Sequence, residues 1–338
     1  MAEGIKLAVV GATGVVGQEM LKVLEQRNFP VSELICLASE RSAGKKVGFK
    51  GQEVTVEAIR PEAFARADVA LFAVDSDISR ELAPVAQANN CIVIDNSNAF
   101  RMTEGVPLVV PEVNPQAAKN HHGLIANPNC STIIMVVALN PIQQAVGIEH
   151  LTISTYQAVS GAGKPGLEEL QAHVENYVKG IPNTPKAFKH PIEFNLIPHI
   201  DVFVDEDYTQ EEMKMVNETR KIFGTPDMRI AATTVRVPVF RSHSESLNLE
   251  TKLPLSPAEA RELLKKAPGV IVQDDPANNV YPMPLLASDT DEIYVGRIRR
   301  DISVPQGLAM WVVGDQIRKG AATNCIQIAE LLLKNKWM

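Results

Sequence analysis

Clusters of positive charge are missing from this chain. Among its 338 residues, 33 Lys and Arg stand against 40 Asp and Glu, the net charge is −7, and no basic block occurs. A phosphate backbone would therefore find no electrostatic footprint, and nucleic acid is not an expected partner. No apolar run reaches the length of a membrane span, so no membrane partner is expected either. The opening Met1-Ala2-Glu3-Gly4 lacks the charged and apolar regions of a secretory signal, which points to the cytoplasm. Cysteine is scarce: Cys36, Cys91, Cys130 and Cys325 lie far apart, with no CxxC pair and no repeated spacing, and no metal site is expected. Neither an internal repeat nor a low-complexity tract is present. What remains is ordinary globular composition, 45% hydrophobic and 22% charged, in a chain long enough for two domains.

The first informative stretch is a buried-strand run, residues 5–10, followed at once by Gly11-Ala12-Thr13-Gly14-Val15-Val16-Gly17. Its glycines are spaced GxxGxxG, one residue longer between the first two than in the common dinucleotide fingerprint. Met20, Leu21, Val23 and Leu24 then recur at helical spacing. Strand, glycine turn and helix together let a pyrophosphate sit on a helix N-terminus, so Gly11, Thr13, Gly14, Val15 and Val16 are candidate cofactor contacts. The alternative is a merely tight turn.

The next strand, residues 34–38, runs into Ser39-Glu40-Arg41-Ser42-Ala43-Gly44-Lys45. An acidic residue here holds the ribose hydroxyls of NAD, whereas an arginine accommodates the 2′-phosphate of NADP. Arg41 with Ser39, Ser42 and Lys45 favours NADP; for Glu40 and Lys45 a solvated loop remains the other reading. Strands at 69–74, 91–95 and 108–110 and a helix at about 79–88 continue the βαβ rhythm of a Rossmann-type doubly wound parallel sheet. Arg101 leaves the end of a strand, where such sheets bind ligands, and is either an anion clamp or a surface arginine.

Asn127-Pro128-Asn129-Cys130-Ser131-Thr132 joins a strand-like run to a longer apolar one suited to a helix. Cys130 would then sit at a helix N-terminus, where the dipole favours a thiolate and N–H groups steady an oxyanion. The alternative is a cysteine packed like a small apolar residue, as expected for Cys36, Cys91 and Cys325.

Beyond Cys130, strand-like stretches at 151–159, 230–240, 246–253, 293–302 and 309–313 describe a second, α+β domain. The first of them carries Gln157 and ends in Ser160-Gly161-Ala162-Gly163, another glycine turn before a helix. Residues 179–199 hold four prolines and read as a long ordered loop, a candidate interface. Thr209-Gln210-Glu211-Glu212 is a capping box opening a helix on which Glu211 and Lys214 share a face. Arg236 and His243, seven apart, would lie on opposite faces of a regular strand, so a bend near Pro238 is needed for both to line one site. The last segment, residues 316–337, is helical and suited to covering the first sheet.

Taken in order, the blocks at residues 11–17, 127–132 and 156–163, with Glu211-Glu212-Met213-Lys214 and Arg236-Val237-Pro238-Val239 leading to His243-Ser244, resemble the bacterial aspartate-semialdehyde dehydrogenase family nearly end to end. The resemblance implies an NADP-binding Rossmann domain at 1–130 completed by 316–338, and a catalytic and dimerisation domain at 131–315. It implies Cys130 as nucleophile, His243 as general acid/base, and Gln157 orienting substrate or intermediate. Arg236 and Glu211 would bind the aspartyl carboxylate and amino groups, Arg101 and Lys214 the phosphate, with Asn129 beside them. Thr13 to Val16, Ser39, Arg41, Ser42, Ser160, Gly161 and Gln316 would contact NADP. The implied reaction is reduction of 4-phospho-L-aspartate to its semialdehyde through a cysteine thioester. It serves lysine, diaminopimelate, threonine and methionine biosynthesis, in a homodimer or homotetramer. A small substrate with two anionic ends does call for two cationic sites.

One stretch departs from the family pattern. Ala73-Val74-Asp75-Ser76-Asp77 stands where relatives carry a glycine-bearing turn, and its carboxylates would repel a pyrophosphate unless they face away or cap the next helix, Asp77 being the candidate cap. Two other readings stand beside the favoured one. N-acetyl-glutamyl-phosphate reductase is opposed by the Arg236/Glu211 pair and the block around Cys130. A paralogue without an active site is opposed by intact Cys130, Gln157, Arg236 and His243.

Overall fold

The computed structural model describes residues 4–338; the first three, which carried most of the reading of the N-terminus, lie outside the described residues. The chain divides into two compact units, Met1–Asn129 with Ala321–Met338, and Cys130–Gly320. Residues 316–320, expected from the sequence to complete the first domain, fall in the second unit.

In the first unit, β1 (Ile5–Val10), β2 (Val31–Ala38), a small hairpin of β3 (Lys46–Phe49) and β4 (Gln52–Thr55), β5 (Glu57–Ala58), β6 (Val69–Phe72), β7 (Ile92–Asp95) and β8 (Leu124–Ala126) alternate with helices. The main sheet has the order β5-β2-β1-β6-β7-β8 and every pairing in it is parallel. Parallel strands are covered on both faces, and accordingly Leu7, Ala8, Val9 and Val10 are all fully buried. One face packs on Met20, Leu21 and Leu24 of α1 (Val15–Gln26) and on Ile326, Ala329 and Leu332 of the C-terminal helix Thr323–Asn335. The other packs on Phe64 of α2 (Pro61–Phe64) and on Leu82, Ala83 and Ala86 of α3 (Ser76–Ala88). The sheet is the doubly wound one expected.

The second unit begins with α4 (Cys130–Val146), whose stretch from Ile133 to Leu139 is buried all round, as a helix without a polar face must be. A mixed sheet follows, with strands β9 (Ile148–Gln157), β10 (Arg229–Arg236), β11 (His243–Thr251), β12 (Val270–Val272), β13 (Ile293–Asp301) and β14 (Gly307–Gly314) in the order β10-β9-β11-β14-β13-β12. Helices α5 (Gly163–Val178), α6 (Gln210–Phe223) and α7 (Pro257–Lys265) complete it. The capping box of α6 forms as read, Thr209 and Glu212 exchanging bonds, and Glu212 also accepts from Thr234 N at 3.0 Å, which ties the helix start to β10.

Several expected boundaries move. β10 stops at Arg236 rather than running to residue 240, because Pro238 has no N–H to give a ladder. β11 opens at His243, three residues early, and residues 108–110 contribute one bridge, Leu108 to Ala126, rather than a strand. The last helical run starts with a π turn, Arg318–Ala322. Asp77 is not the cap of α3: Asp75 holds that position through its backbone, and Asp77 sits exposed in the first turn, paired with Arg80 at 2.7 Å. Its charge complements the helix dipole and faces solvent.

Candidate active site

The glycine turn sits where the strand order of the parallel sheet reverses, between β1 and β6. Gly11 has φ +87°, and a Cβ on it would lie 2.2 Å from the Ala73 carbonyl oxygen; a Cβ on Gly17 would lie as close to the Gly11 oxygen. Only glycine permits that approach, and the cradle it leaves at the N-terminus of α1 fits a pyrophosphate. Thr13, Gly14, Val15 and Val16 line the same turn. At the end of β2, Ser39 and the short turn Glu40–Ser42 follow directly. Glu40 is engaged by Arg60 at 3.0 Å, whereas Arg41 is exposed and its guanidinium has no ion-pair partner among the described residues. Ser42 is buried and takes a bond from Lys45 Nζ at 3.3 Å.

Arg101 is not a surface arginine. It is buried, its Nε donating to the Asn127 carbonyl at 2.9 Å and its Nη2 to the Asn96 carbonyl at 2.8 Å. Asn127 in turn bonds Asn96 and receives Asn324 Nδ2 at 2.6 Å, so the turns after β7 and β8 are knitted into one rigid rim. The sequence marked Asn127 but not Asn324, which lies far along the chain within a helix. Asn129 is buried at the end of this unit.

In the second unit Cys130 is the first residue of α4 and partly accessible. The other thiols are buried, and burial foremost pushes Cys36 up to about 11, Cys91 up to about 12 and Cys325 well above its usual value, so none supplies a thiolate at neutral pH. Strand order explains how Arg236 and His243 meet. β10 and β11 flank β9 on opposite sides, Arg236 pairing across from Gln157 and Ser244 across from Tyr156, so both side chains reach the end of β9 from either side. A Cβ on Gly161 would fall 2.8 Å from Arg236 Nη1 and 3.5 Å from His243 Nε2, so both groups crowd the bare backbone there. Cys130 lies within electrostatic range of Arg236.

Gln157 is fixed by its neighbours: Thr155 Oγ1 donates to Oε1 at 3.0 Å, and Nε2 donates to Glu211 Oε1 at 3.1 Å. Thr155 was missed by sequence reasoning, although it shares the buried face of β9 with Gln157 two residues away. Ala158 N donates to His243 Nδ1 at 3.0 Å, and its carbonyl accepts from Arg236 Nη1 at 2.8 Å. With Nδ1 an acceptor, the neutral imidazole carries its proton on Nε2, the nitrogen near Gly161. Burial, with Arg236 adding to it, lowers the His243 pKa to about 3, so the ring is uncharged at neutral pH. Burial also lowers the Arg236 pKa, opposed by Glu211 and Cys130.

Lys214 meets Asp201 at 2.6 Å and Glu211 at 3.0 Å. Burial alone would depress its ammonium, but the two carboxylates outweigh it and raise the pKa. Glu211 thereby links Gln157 to Lys214, and being buried it is no merely solvated helix residue. Ser160 accepts a short hydrogen bond from Gln316 Nε2, and Gln316 Oε1 accepts from Ser242 N at 2.8 Å beside His243.

Glu245, on the buried face of β11 with His243, was also missed. Neither of its oxygens has a hydrogen-bond partner among the described residues, and burial raises its pKa well above 4.5. A raised folded-state pKa gives stability that is full below about pH 4.5 and erodes as pH climbs toward the folded value. Glu245→Gln removes the titration and keeps the shape. Its unfolding free energy should match the parent's near pH 4.5 and exceed it by a margin that grows, by at most about 1.4 kcal/mol per pH unit, as pH rises toward the folded-state value. A gap that does not change with pH would show that Glu245 stays uncoupled from folding.

The first sheet and its glycine turn define a nicotinamide-dinucleotide-binding oxidoreductase, and the second unit offers a thiol, an amide, an imidazole and a guanidinium in one cluster. The chain belongs to the semialdehyde dehydrogenase family: residues 6–121 match its NAD binding domain and residues 139–319 its dimerisation domain. It is 56% identical over 336 residues to the aspartate-semialdehyde dehydrogenase of Aquifex aeolicus, covering 98% of each chain. Among solved structures, aspartate semialdehyde dehydrogenase II from Vibrio cholerae, complexed with ASA, is 45% identical with a TM-score of 0.96 over 98% of this chain and 99% of that one. The Candida albicans enzyme with NADP is 26% identical with a TM-score of 0.78, over 99% and 100% of the two chains.

Proposed function

We propose that the protein catalyses the NADPH-dependent reductive dephosphorylation of 4-phospho-L-aspartate to L-aspartate 4-semialdehyde. The observation that carries the reading is the convergence of Arg236, Gln157 and His243 around Gly161, with Cys130 in electrostatic range at the start of α4. The Cys130 thiolate attacks the acyl carbon, the bond to phosphate breaks, and phosphate departs with the electron pair. When bound, NADPH supplies the hydride that reduces the resulting thioester. The carbon–sulfur bond then breaks and returns the thiolate to Cys130. The Nε2–H of neutral His243 donates to the carbonyl oxygen while it carries negative charge, and Gln157, held by Thr155 and Glu211, orients the acyl group. Arg236 takes the aspartyl carboxylate and Glu211 the amino group. Arg101 and Lys214 take phosphate, Lys214 after yielding part of its hold on Asp201 and Glu211.

The matched dimerisation domain supports a homodimer, and exposed Phe194, Leu196 and Phe203 suit an interface. Phosphate-dependent reduction of NADP with aspartate semialdehyde tests the whole reading. Reduction that proceeds equally without phosphate would exclude it.

NADP over NAD is supported by Arg41 having no ion-pair partner among the described residues while Glu40 is engaged by Arg60. Arg41→Ala is expected to erase most of the NADP preference, measured as the ratio of kcat/KM for the two cofactors. An unchanged ratio would move the 2′-phosphate site elsewhere.

A further inference from the structure

Residues 179–199 form neither helix nor strand, yet carboxylates tie them down. Glu169, buried on α5, accepts at Oε2 from the backbone N–H groups of Lys186, at 2.7 Å, and of Ala187, and at Oε1 from Phe188 N at 3.4 Å. A second clasp joins His173, Glu193 and Asn183: His173 Nδ1 and Glu193 lie 2.8 Å apart, and Asn183 Nδ2 reaches both Glu193 and the His173 carbonyl. Farther along, Ile197 exchanges two backbone bonds with Arg236 at 2.8 and 3.0 Å.

Among residues 186–190 only Phe188 turns inward; its neighbours are exposed. It packs against Val159, Leu170, Ile192 and Ile197, and its ring centroid stands 5.9 Å from Arg236 Cζ. Arg236 is therefore held from two directions, by the Ala158 carbonyl at one nitrogen and by the aromatic ring. Such a ring steadies a guanidinium without using any of its N–H groups, which leaves its planar edge for a carboxylate. The bonds that Glu169 accepts from three consecutive N–H groups fix the backbone on which Phe188 stands.

We infer that Glu169 and Phe188 are positioning residues: segment 186–188 is a strap that holds the Arg236 guanidinium in place for the substrate carboxylate. The inference rests on the reading of Arg236 given above. It implies that the strap acts on substrate recognition and leaves cofactor and phosphate recognition alone.

Saturation curves for aspartate semialdehyde, phosphate and NADP, measured on the full chain, test it. Phe188→Leu keeps apolar bulk and loses the π face, so the KM for the semialdehyde should rise about five- to thirtyfold. The other two constants and kcat should stay near their starting values. Phe188→Tyr keeps the face and should restore that KM to within about twofold, which a purely packing role would not require. Glu169→Gln weakens charge-assisted bonds to the strap and should move the same KM in the same direction, by about threefold. Equal shifts in the leucine and tyrosine variants, or a shift spread over all three substrates, would overturn the strap. Arg236→Lys is the companion measurement. If it raises the semialdehyde KM while Phe188→Leu does not, the strap alone is wrong; if it leaves that KM unchanged, the carboxylate reading falls and the strap with it.

Discussion

Cys130→Ser is expected to lower turnover by more than about a thousandfold while the fold and NADP binding persist. The alcohol has nearly the same size and the same place at the first position of α4, so packing gives no reason for the protein to unfold. What changes is the acidity of the group: a helix N-terminus and a nearby guanidinium favour a thiolate but leave an alcohol protonated at neutral pH. The other cysteines are too deeply buried to substitute. Activity of the purified variant, its melting temperature and an NADP titration together make the measurement. More than a trace of activity would remove Cys130 from the role of nucleophile.

Arg236→Lys is expected to cost about ten- to a hundredfold in kcat/KM for aspartate semialdehyde, from the loss of a charge-assisted hydrogen bond worth on the order of 1.5–3 kcal/mol. Lysine keeps the charge but has no planar fork, cannot hold the Ala158 carbonyl and a carboxylate in one plane, and makes poorer use of the Phe188 face. Arg101→Lys should behave differently. Arg101 is built into the rim of the parallel sheet by the Asn96 and Asn127 carbonyls, and its replacement should raise the KM for phosphate with little effect on that for the semialdehyde. Varying each substrate in turn for both variants gives four constants. Parallel shifts in all four would mean that the two arginines do not divide the substrate between them.

The sequence went far with features whose cause is local. GxxGxxG after a buried strand, the capping box at Thr209, and an apolar run beginning at Cys130 each depend on residues within a few positions, and each took the form read from it. Local reasoning erred where a neighbour competed. Asp77 has a capping side chain, but Asp75 already occupied the cap position and Arg80 offered a salt bridge one turn on. Pro238 does mark a break, and its effect is larger than a bend: the chain leaves one strand at Arg236 and enters another at His243.

By itself, then, the sequence determined the doubly wound sheet, the glycine turn before α1, the thiol at a helix start and the family to which they belong. Periodicity and turn chemistry are short-range properties, written in adjacent residues. Only the tertiary structure decided that Arg236 and His243 converge, since that follows from β10 and β11 lying on opposite sides of β9. It also decided the neutral Nε2–H tautomer of His243, the burial of Arg101 and Glu245, and the placing of Phe188 over Arg236. Each depends on groups far apart in the chain, whose meeting costs loop entropy and is fixed by the packing of whole elements, so no local pattern records it.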